Sequence, residues 1–314
     1  MSRKATSINC RLATPLTSYA LRVTHYDFMK LLILGNPESP GNIRINEEAT
    51  ARGHLARVVH MESISMSVDE DEHIFIDNVE LTHDSYDVAL FRDMHPQFIS
   101  AYLSLAQALE RKHITVANPA LIDVPFVWNK LHQMMKLKSA QLPVPQTSFL
   151  THKTSIDSIE TSFKFPIIIK PIHGSHGTDI RRCDTMDDVR RAVASGPVGT
   201  FIAQEYLDAP HDFRVFVVNG VALGAVKKIP VDGEFRSNTD LDAQFESFDM
   251  TDHMRDIAVS AAAALQIPIA GVDMREHNGE MKILEVNRNP GFQHFEAATN
   301  INVAKSIIDF LETI

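Results

Sequence analysis

The chain has 314 residues, 44% of them hydrophobic and 22% charged, a soluble composition long enough for two or three packed units. Its net charge of -10, with no basic stripe of useful length, argues against nucleic acid and anionic membrane surfaces as partners. Cys10 and Cys183 are its only cysteines, which excludes a disulfide framework and a thiolate zinc site and points to a reducing, cytoplasmic setting, and no apolar run is long enough to cross a bilayer.

Residues 1–28 carry Arg3, Lys4, Arg11 and Arg22, no acid before Asp27, and many Ser and Thr. That is the composition of a transit peptide or a disordered tail, and we read the segment as an extension outside the fold. MKLLILG, from Met29, reads as a buried first strand followed by a loop. Ile43–Gly53 reads as a helix closed by Gly53, and Ala56–His60 as a second strand. HIFIDNVEL (73–81) reads as a hairpin about Asp77-Asn78. Asp87–Arg92 and Ile114–Ala117 read as strands on either side of an amphipathic helix, Pro96–Arg111, with Leu103, Leu105 and Leu109 inward. Strands alternating with helices imply a small, mostly parallel sheet over 29–118, and no G-x-G-x-x-G follows its first strand, so it is not read as a dinucleotide domain.

Beyond Asn118-Pro119, helices are expected over Lys130–Ala140, Ser155–Phe163 and Asp184–Ala194. PIIIKP (166–171), Ile180–Cys183 and FIAQEYL (201–207) read as strands. Asp212–Val218 and Val221–Ile229 flank Asn219-Gly220, a strong hairpin signal. The polar stretch Asp232–Asp249 reads as loop, Thr251–Leu265 as a capped helix, and Asn302–Leu311 as a final helix.

Between those last helices lies GVDMREHNGEMKILEVNRNPGF (271–292), two strands about Asn278-Gly279. Glu285 and Asn287 alternate and so share a face. A two-residue loop would pair Asp273 with Leu284 and turn it away, whereas a loop of His277, Asn278 and Gly279 would pair it with Ile283 and bring it onto that face. The three-residue loop is therefore expected, with Val272, Leu284 and Val286 on the apolar side. Two carboxylates and an amide oxygen suit a hard cation such as Mg2+, although the segment alone reads equally well as an acidic surface hairpin.

Lys170 ends a strand just before the loop HGSHG, where glycine amides and a lysine could meet a phosphate, as could a plain tight turn. Gln204-Glu205-Tyr206-Leu207 could offer strand-end backbone groups and an aromatic wall to a purine. Asp212 and Arg214 face one way, and Lys227, Lys228 and Arg236 supply positive charge that suits an anionic substrate or a solvated face. His173, His176 and His294 are weak acid–base candidates, and no nucleophile elbow surrounds Ser63, Ser65 or Ser67.

Taken in order, Lys130, the strand-borne Lys170 with its Gly loop, QEYL, DFRVFVVNG, GEFRSN and GVDM…ILEVNRNPGF resemble the ATP-grasp superfamily, and within it the RimK-type ligases. The resemblance covers Met29 to the end and implies an α/β protein: a parallel-sheet domain (29–118) and two lobes (119–205, 206–314) that clamp ATP. It implies Lys130 and Lys170 on the phosphate side, Glu205, Tyr206 and Leu207 at the adenine hinge, and Asp212 at the nucleoside. It also implies Arg236, Ser237 and Asn238 in a triphosphate loop, Lys170 and Arg236 as catalytic, and Asp273, Glu285 and Asn287 as ligands of Mg2+ or Mn2+. The implied activity is ligation of an amino acid, often glutamate, to a small-molecule or peptide carboxylate through an acyl phosphate. A kinase acting on a polyanionic hydroxyl compound and a non-catalytic nucleotide sensor remain the alternatives. Three positions depart from the family pattern: Asp179 replaces a loop glycine, Thr239-Asp240-Leu241-Asp242 follows FRSN, and Arg288 follows Asn287 where a small residue is usual, free to bind an anion or pair with Glu296 or Glu276.

Overall fold

The computed structural model describes residues 28–94, 98–123, 129–150, 156–173, 180–194, 196, 200–230 and 244–314. The first apolar run is β1 (Lys30–Leu34), followed by α1 (Pro40–Ala51) and β2 (Leu55–Val59). The helix starts earlier than its apolar spacing indicates, because Pro40 is preset for a first helical turn, and Gly53 closes it at φ +86. Then come β3 (Ile64–Val68), β4 (Glu72–Ile76), β5 (Val79–Glu80), β6 (Val88–Phe91), α2 (Ile99–Arg111) and β7 (Thr115–Val116). Strands β2-β1-β6-β7 form a parallel sheet in that order. Leu31 and Ile33 face one core and Leu32 and Leu34 another, which explains a continuous apolar run rather than an alternating one. The Asp77-Asn78 turn is present, both residues left-handed, but its hairpin has a third strand, β3, that the Ser-rich run did not announce.

A second sheet follows from α3 (Ala120–Asp123), α4 (Lys130–Ser139), β8 (Thr147–Leu150), α5 (Ile156–Ser162), β9 (Ile167–Pro171), β10 (Arg181–Cys183), α6 (Met186–Ala194) and β11 (Phe201–Glu205). Its order is β10-β9-β11-β8, antiparallel throughout, and α5 and α6 cover it around Ile159, Val189 and Ile169. Helix α4 does not join that core. Its Met134 and Leu137 pack instead with the third sheet.

The third sheet, β14-β13-β12-β15-β16, comprises β12 (Asp212–Val218), β13 (Val221–Ile229), β14 (Gln244–Phe248), β15 (Ile269–His277) and β16 (Glu280–Asn287), with α7 (Asp252–Ala264) inserted. Residues 244–248, read from sequence as loop, are an edge strand on β13; the exposed alternate positions of QFESF hid it among its acidic neighbours. Thr251 caps α7, accepting from the Met254 amide at 3.2 Å. The chain ends with α8 (Gln293–Thr299) and α9 (Val303–Leu311), and α9 returns to pack its Val303 and Ile307 into one cluster with Met29 and Leu31 of the first sheet.

Candidate active site

The hairpin of β15 and β16 reaches the expected arrangement by another route. Its loop has two residues, Asn278 and Gly279, both at positive φ, and His277 pairs with Glu280. The expected three-residue loop is therefore wrong. Carried on unchanged, this register would set Asp273 opposite Leu284, but the pairing slips by one between Asp273 and Met274. Leu284 is the extra residue of a β-bulge, and beyond it Asp273 stands directly opposite Glu285 and Gly271 opposite Asn287. The core-side partner of Val272, Val286 and Met274 is Ile283, not Leu284. A bulge performs the parity change that sequence reasoning had assigned to the turn. The left-handed Asn278-Gly279 pair is the signature of a two-residue type I′ turn, and that was the signal to follow.

Parity then sorts the whole third sheet. Phe213, Val215, Val272, Met274 and Ile283 face α7. The opposite face carries Phe216, Val218 and Val226 at one end, packed on α8, α9 and the first sheet. At its other end it carries Asp212, Arg214, Lys228, Asp273, Arg275, Glu285 and Asn287. Gly271 is required there, since a Cβ would lie 2.8 Å from Pro290, whose turn folds down over the sheet. Backbone groups at the β16 edge are taken up by α4 and the segment after it. Gln133 bonds both to the N–H and to the C=O of Val286, between the two expected ligands, and Pro143 accepts from the Ile283 amide at 2.8 Å.

The charges on this face are paired in depth. Arg214 donates Nε and Nη2 to the two oxygens of Asp273 at 2.7 and 2.8 Å, and Lys228 adds a third contact at 3.3 Å. Burial works against the Asp273 carboxylate, but Arg214 and then Lys228 outweigh it and bring the pKa to about 2. Asp212 is bound by Arg275, which also donates to the Leu207 carbonyl at 2.9 Å, and burial nonetheless raises the Asp212 pKa. Glu285 is the carboxylate felt by the buried Lys170 on β9 and by the half-buried Arg288 just past β16. Burial lowers the Lys170 pKa to about 8, with Glu285 opposing and Lys130 assisting, and lowers that of Arg288 to about 9. Glu296, considered as a partner of Arg288, is turned to the start of α9, where it accepts from Val303 N at 2.7 Å.

Lys170 therefore arrives on β9 of the second sheet opposite a carboxylate of the third. Lys130 joins it because the first residue of α4 donates its amide to the Ile172 carbonyl at 3.0 Å, just past the end of β9. At the end of β11 the Glu205 carboxylate takes Lys282 at 2.9 Å and the Gln146 amide at 3.2 Å, which ties the second sheet to the third. Tyr206 lies under the Arg182 guanidinium, 4.8 Å from its ring centre. Arg236, Ser237, Asn238, His176 and Asp179 lie outside the described residues. His294 stacks on Phe245 with ring centres 5.0 Å apart and is not brought to the site. Sequence reasoning left Arg214 and Lys228 out of its site set. Their signal was the i, i+2 spacing of Asp212 and Arg214 and the cross-strand register that seats Lys228 beside Asp212.

Asp273, Glu285 and Asn287 fit a hard divalent cation in donor type and in sharing one face. Each carboxylate oxygen has two lone pairs, so the bonds from Arg214 and Lys228 do not exhaust Asp273, and Asn287 Oδ1 has given one lone pair to the Asn289 amide at 3.0 Å. The surroundings are nevertheless net positive: among the described residues Arg214, Lys228, Arg275, Lys170 and Arg288 outnumber Asp212, Asp273 and Glu285. Such a site repels a bare dication and attracts a polyanion that brings one with it.

Residues 127–311 match the sequence profile of the RimK-like ATP-grasp domain. A probable alpha-L-glutamate ligase of Trichodesmium erythraeum is 31% identical over 214 residues, which is 67% of this chain and 71% of that protein. The structure of the ATP-grasp ligase PsnB with a minimal precursor superposes with a TM-score of 0.71 at 20% identity, covering 91% of this chain and 99% of that one. A PsnB complex that also holds Mg and ADP gives 0.68 at 20% identity, covering 89% and 95%.

Proposed function

The chain belongs to the RimK-like ATP-grasp family, and from that premise we propose that it is an ATP-dependent carboxylate–amine ligase that joins a glutamate-like amino acid to a peptide or small carboxylate. The observation that supports the reading is the opposition of Asp273 and Glu285 on a net-positive face, with Lys170 of the other lobe in the electrostatic field of Glu285. A substrate carboxylate oxygen attacks the γ-phosphorus of ATP, and the bond to the bridging oxygen breaks with its electrons leaving on ADP. The amine nitrogen then attacks the acyl carbon and gives up a proton, and phosphate departs with the C–O bonding pair, leaving an amide. Lys170, Lys130 and Arg288 stabilise the phosphate charge that moves toward ADP, and Arg214 and Lys228 hold Asp273 ionised and oriented. Asp273, Glu285 and Asn287 would hold Mg2+, or Mn2+ in its place, which would supply Lewis-acid charge to the phosphate. The strand end Glu205–Leu207 offers backbone groups to the adenine, with Asp212 acting behind it by holding Arg275 on the Leu207 carbonyl. Arg236, Ser237 and Asn238 complete this reading as a triphosphate loop, and a reducing, ATP-containing compartment suits it.

The test is a phosphate-release screen over pairs of amino acids and carboxylates, followed by mass analysis. The expected result is free phosphate, with one product equal to the two substrates less water. Phosphate found on the acceptor would replace the ligase with a kinase, and ATP bound but never turned over would replace it with a sensor.

A further inference from the structure

Outside the cluster around Asp273, the most uneconomical side chain among the described residues is Arg92. It follows β6 and is 3% exposed. Of its five N–H donors, one reaches the Pro290 carbonyl at a long 3.3 Å, while Nε and Nη1 are buried without a hydrogen-bond partner. The Phe292 ring, 5.9 Å from its guanidinium carbon, is weak compensation. Burial lowers its pKa to about 10, so it still carries its charge at neutral pH. Two acceptors nearby are also unused: Asn42 Oδ1 and Asn289 Oδ1 are buried with no partner. Their amide orientations are fixed by Asp93, which accepts from Asn42 Nδ2 at 2.6 Å and Asn289 Nδ2 at 2.8 Å. Natively buried polar groups are nearly always satisfied, so orphan donors and orphan acceptors in one crevice call for a reason.

The place in the fold supplies one. From β1 the chain passes to β2 on one side and later to β6 on the other, so the carboxyl ends of β1 and β6 form the crevice where open α/β sheets bind ligands. Helix α1 starts there, and Ser39 at its N-cap makes no side-chain hydrogen bond, which leaves the positive helix end to favour an anion. Gly35 and Gly41 keep the crevice lined by side chains: a Cβ on Gly35 would lie 2.7 Å from Asn42 Nδ2, and one on Gly41 would lie 3.3 Å from Arg92 Nη2. The far wall is the 287–290 turn, joined to the metal face through Asn287.

We propose that Arg92, Asn42 and Asn289 form the subsite that holds the amino acid to be ligated, its α-carboxylate on the Arg92 fork and its amino group on the two amide oxygens. This rests on the ligase reading and deepens it. Asp93 positions both amides, and Asn289 delivers the amine two residues from Asn287. The ligand replaces the long Arg92–Pro290 bond as it enters between the first sheet and the turn.

The experiment uses the full chain with Mg2+ and a non-hydrolysable ATP analogue, titrated calorimetrically with L-glutamate and then the other common α-amino acids, alongside ADP release with ATP. For the amino acid the wild type accepts, its α-amide should bind about 100-fold more weakly. In R92M, KM for the acid should rise at least about 30-fold with kcat and nucleotide affinity kept, the preference over the α-amide should vanish, and R92K should fall between. R92M should also be at least as stable as the wild type, because it removes an under-paired buried charge. An unchanged KM, retained discrimination against the amide, an unfolded R92M, or a wild type that binds no α-amino acid would each overturn the subsite. Amino-acid binding lost in R92M, in a wild type that releases no ADP, would uphold the subsite and remove the ligase reading. ADP release driven by amines without a carboxylate would do the reverse.

Discussion

The two walls of the candidate site store their charge differently. On the third sheet Asp273 is gripped by Arg214 and Lys228 and Asp212 by Arg275, on the face opposite the core that the sheet shares with α4 and α7. On the second sheet Lys170 is buried with another lysine, Lys130, as its near charge and a carboxylate of the opposite wall as its favourable one. The second sheet also has a separate small core around Ile159 and Val189. One wall is therefore paired within itself, and the other carries lysines whose favourable carboxylate lies on the facing wall. A triphosphate, as proposed, would answer that need by neutralising the lysines and bridging the walls in one step.

The two walls should differ most at their carboxylates. Glu285→Gln and Asp273→Asn should each lower ADP release by about a hundredfold or more, as losing charge stabilisation at the reacting phosphate does. Only Asp273→Asn should also cost stability, about 3–5 kcal/mol in denaturant unfolding, because it strands Arg214 and Lys228 in the interior. Equal stabilities for the two variants would mean that the pairing on the third sheet is not structural. Lys170→Met should be the mirror case, with turnover down about a hundredfold and the unfolding midpoint unchanged or raised, because it removes a buried charge next to Lys130. A loss of stability in Lys170→Met would show that this wall, too, is paired within itself before nucleotide arrives.

The smallest effect tests the separate core. Burial raises the Cys183 thiol to about 11 from its ordinary value of 9.0. The folded protein then holds this proton longer than the unfolded chain, so stability falls as pH rises from about 9 to about 11. In a Cys10→Ser background, labelling of Cys183 at pH 8 should be slow, and below pH 11 its native-state rate should climb about tenfold per pH unit. Nucleotide should slow it further. Labelling that tracks global unfolding at every pH would mean that the second sheet does not open by itself.

The parallel sheet, the two-residue hairpins at Asp77-Asn78 and Asn219-Gly220 and the shared face of Asp273, Glu285 and Asn287 were legible in the sequence because each rests on short-range rules: continuous apolar runs, Asp-Asn and Asn-Gly turns, and alternation. The bulge at Leu284 was not, since it is set by how β16 meets β15 over its whole length and not by the turn. Strands β3 and β14 were missed because most of each is exposed and Ser, Gln and Glu interrupt their apolar residues. The same-face prediction for Asp273 survived a wrong loop because parity constrains the answer more tightly than the route to it. The local spacing of Asp212, Arg214 and Lys228 groups them without naming Asp273, 59 and 45 residues away, as the partner of the two cations, and no local pattern marks the contact of Arg92 with Pro290, 198 residues on.

Helix α9 shares its cluster with β1 and α1, near the other end of the described chain. During synthesis the first sheet emerges early but lacks the apolar cover that residues 303–311 provide, so its β2–β1–β6 face must wait for them. Contacts of such long sequence separation slow folding and leave the waiting sheet open to aggregation. Removal of α9 should therefore appear first as poor yield during expression, with the carboxylate end of the third sheet unaltered in sequence.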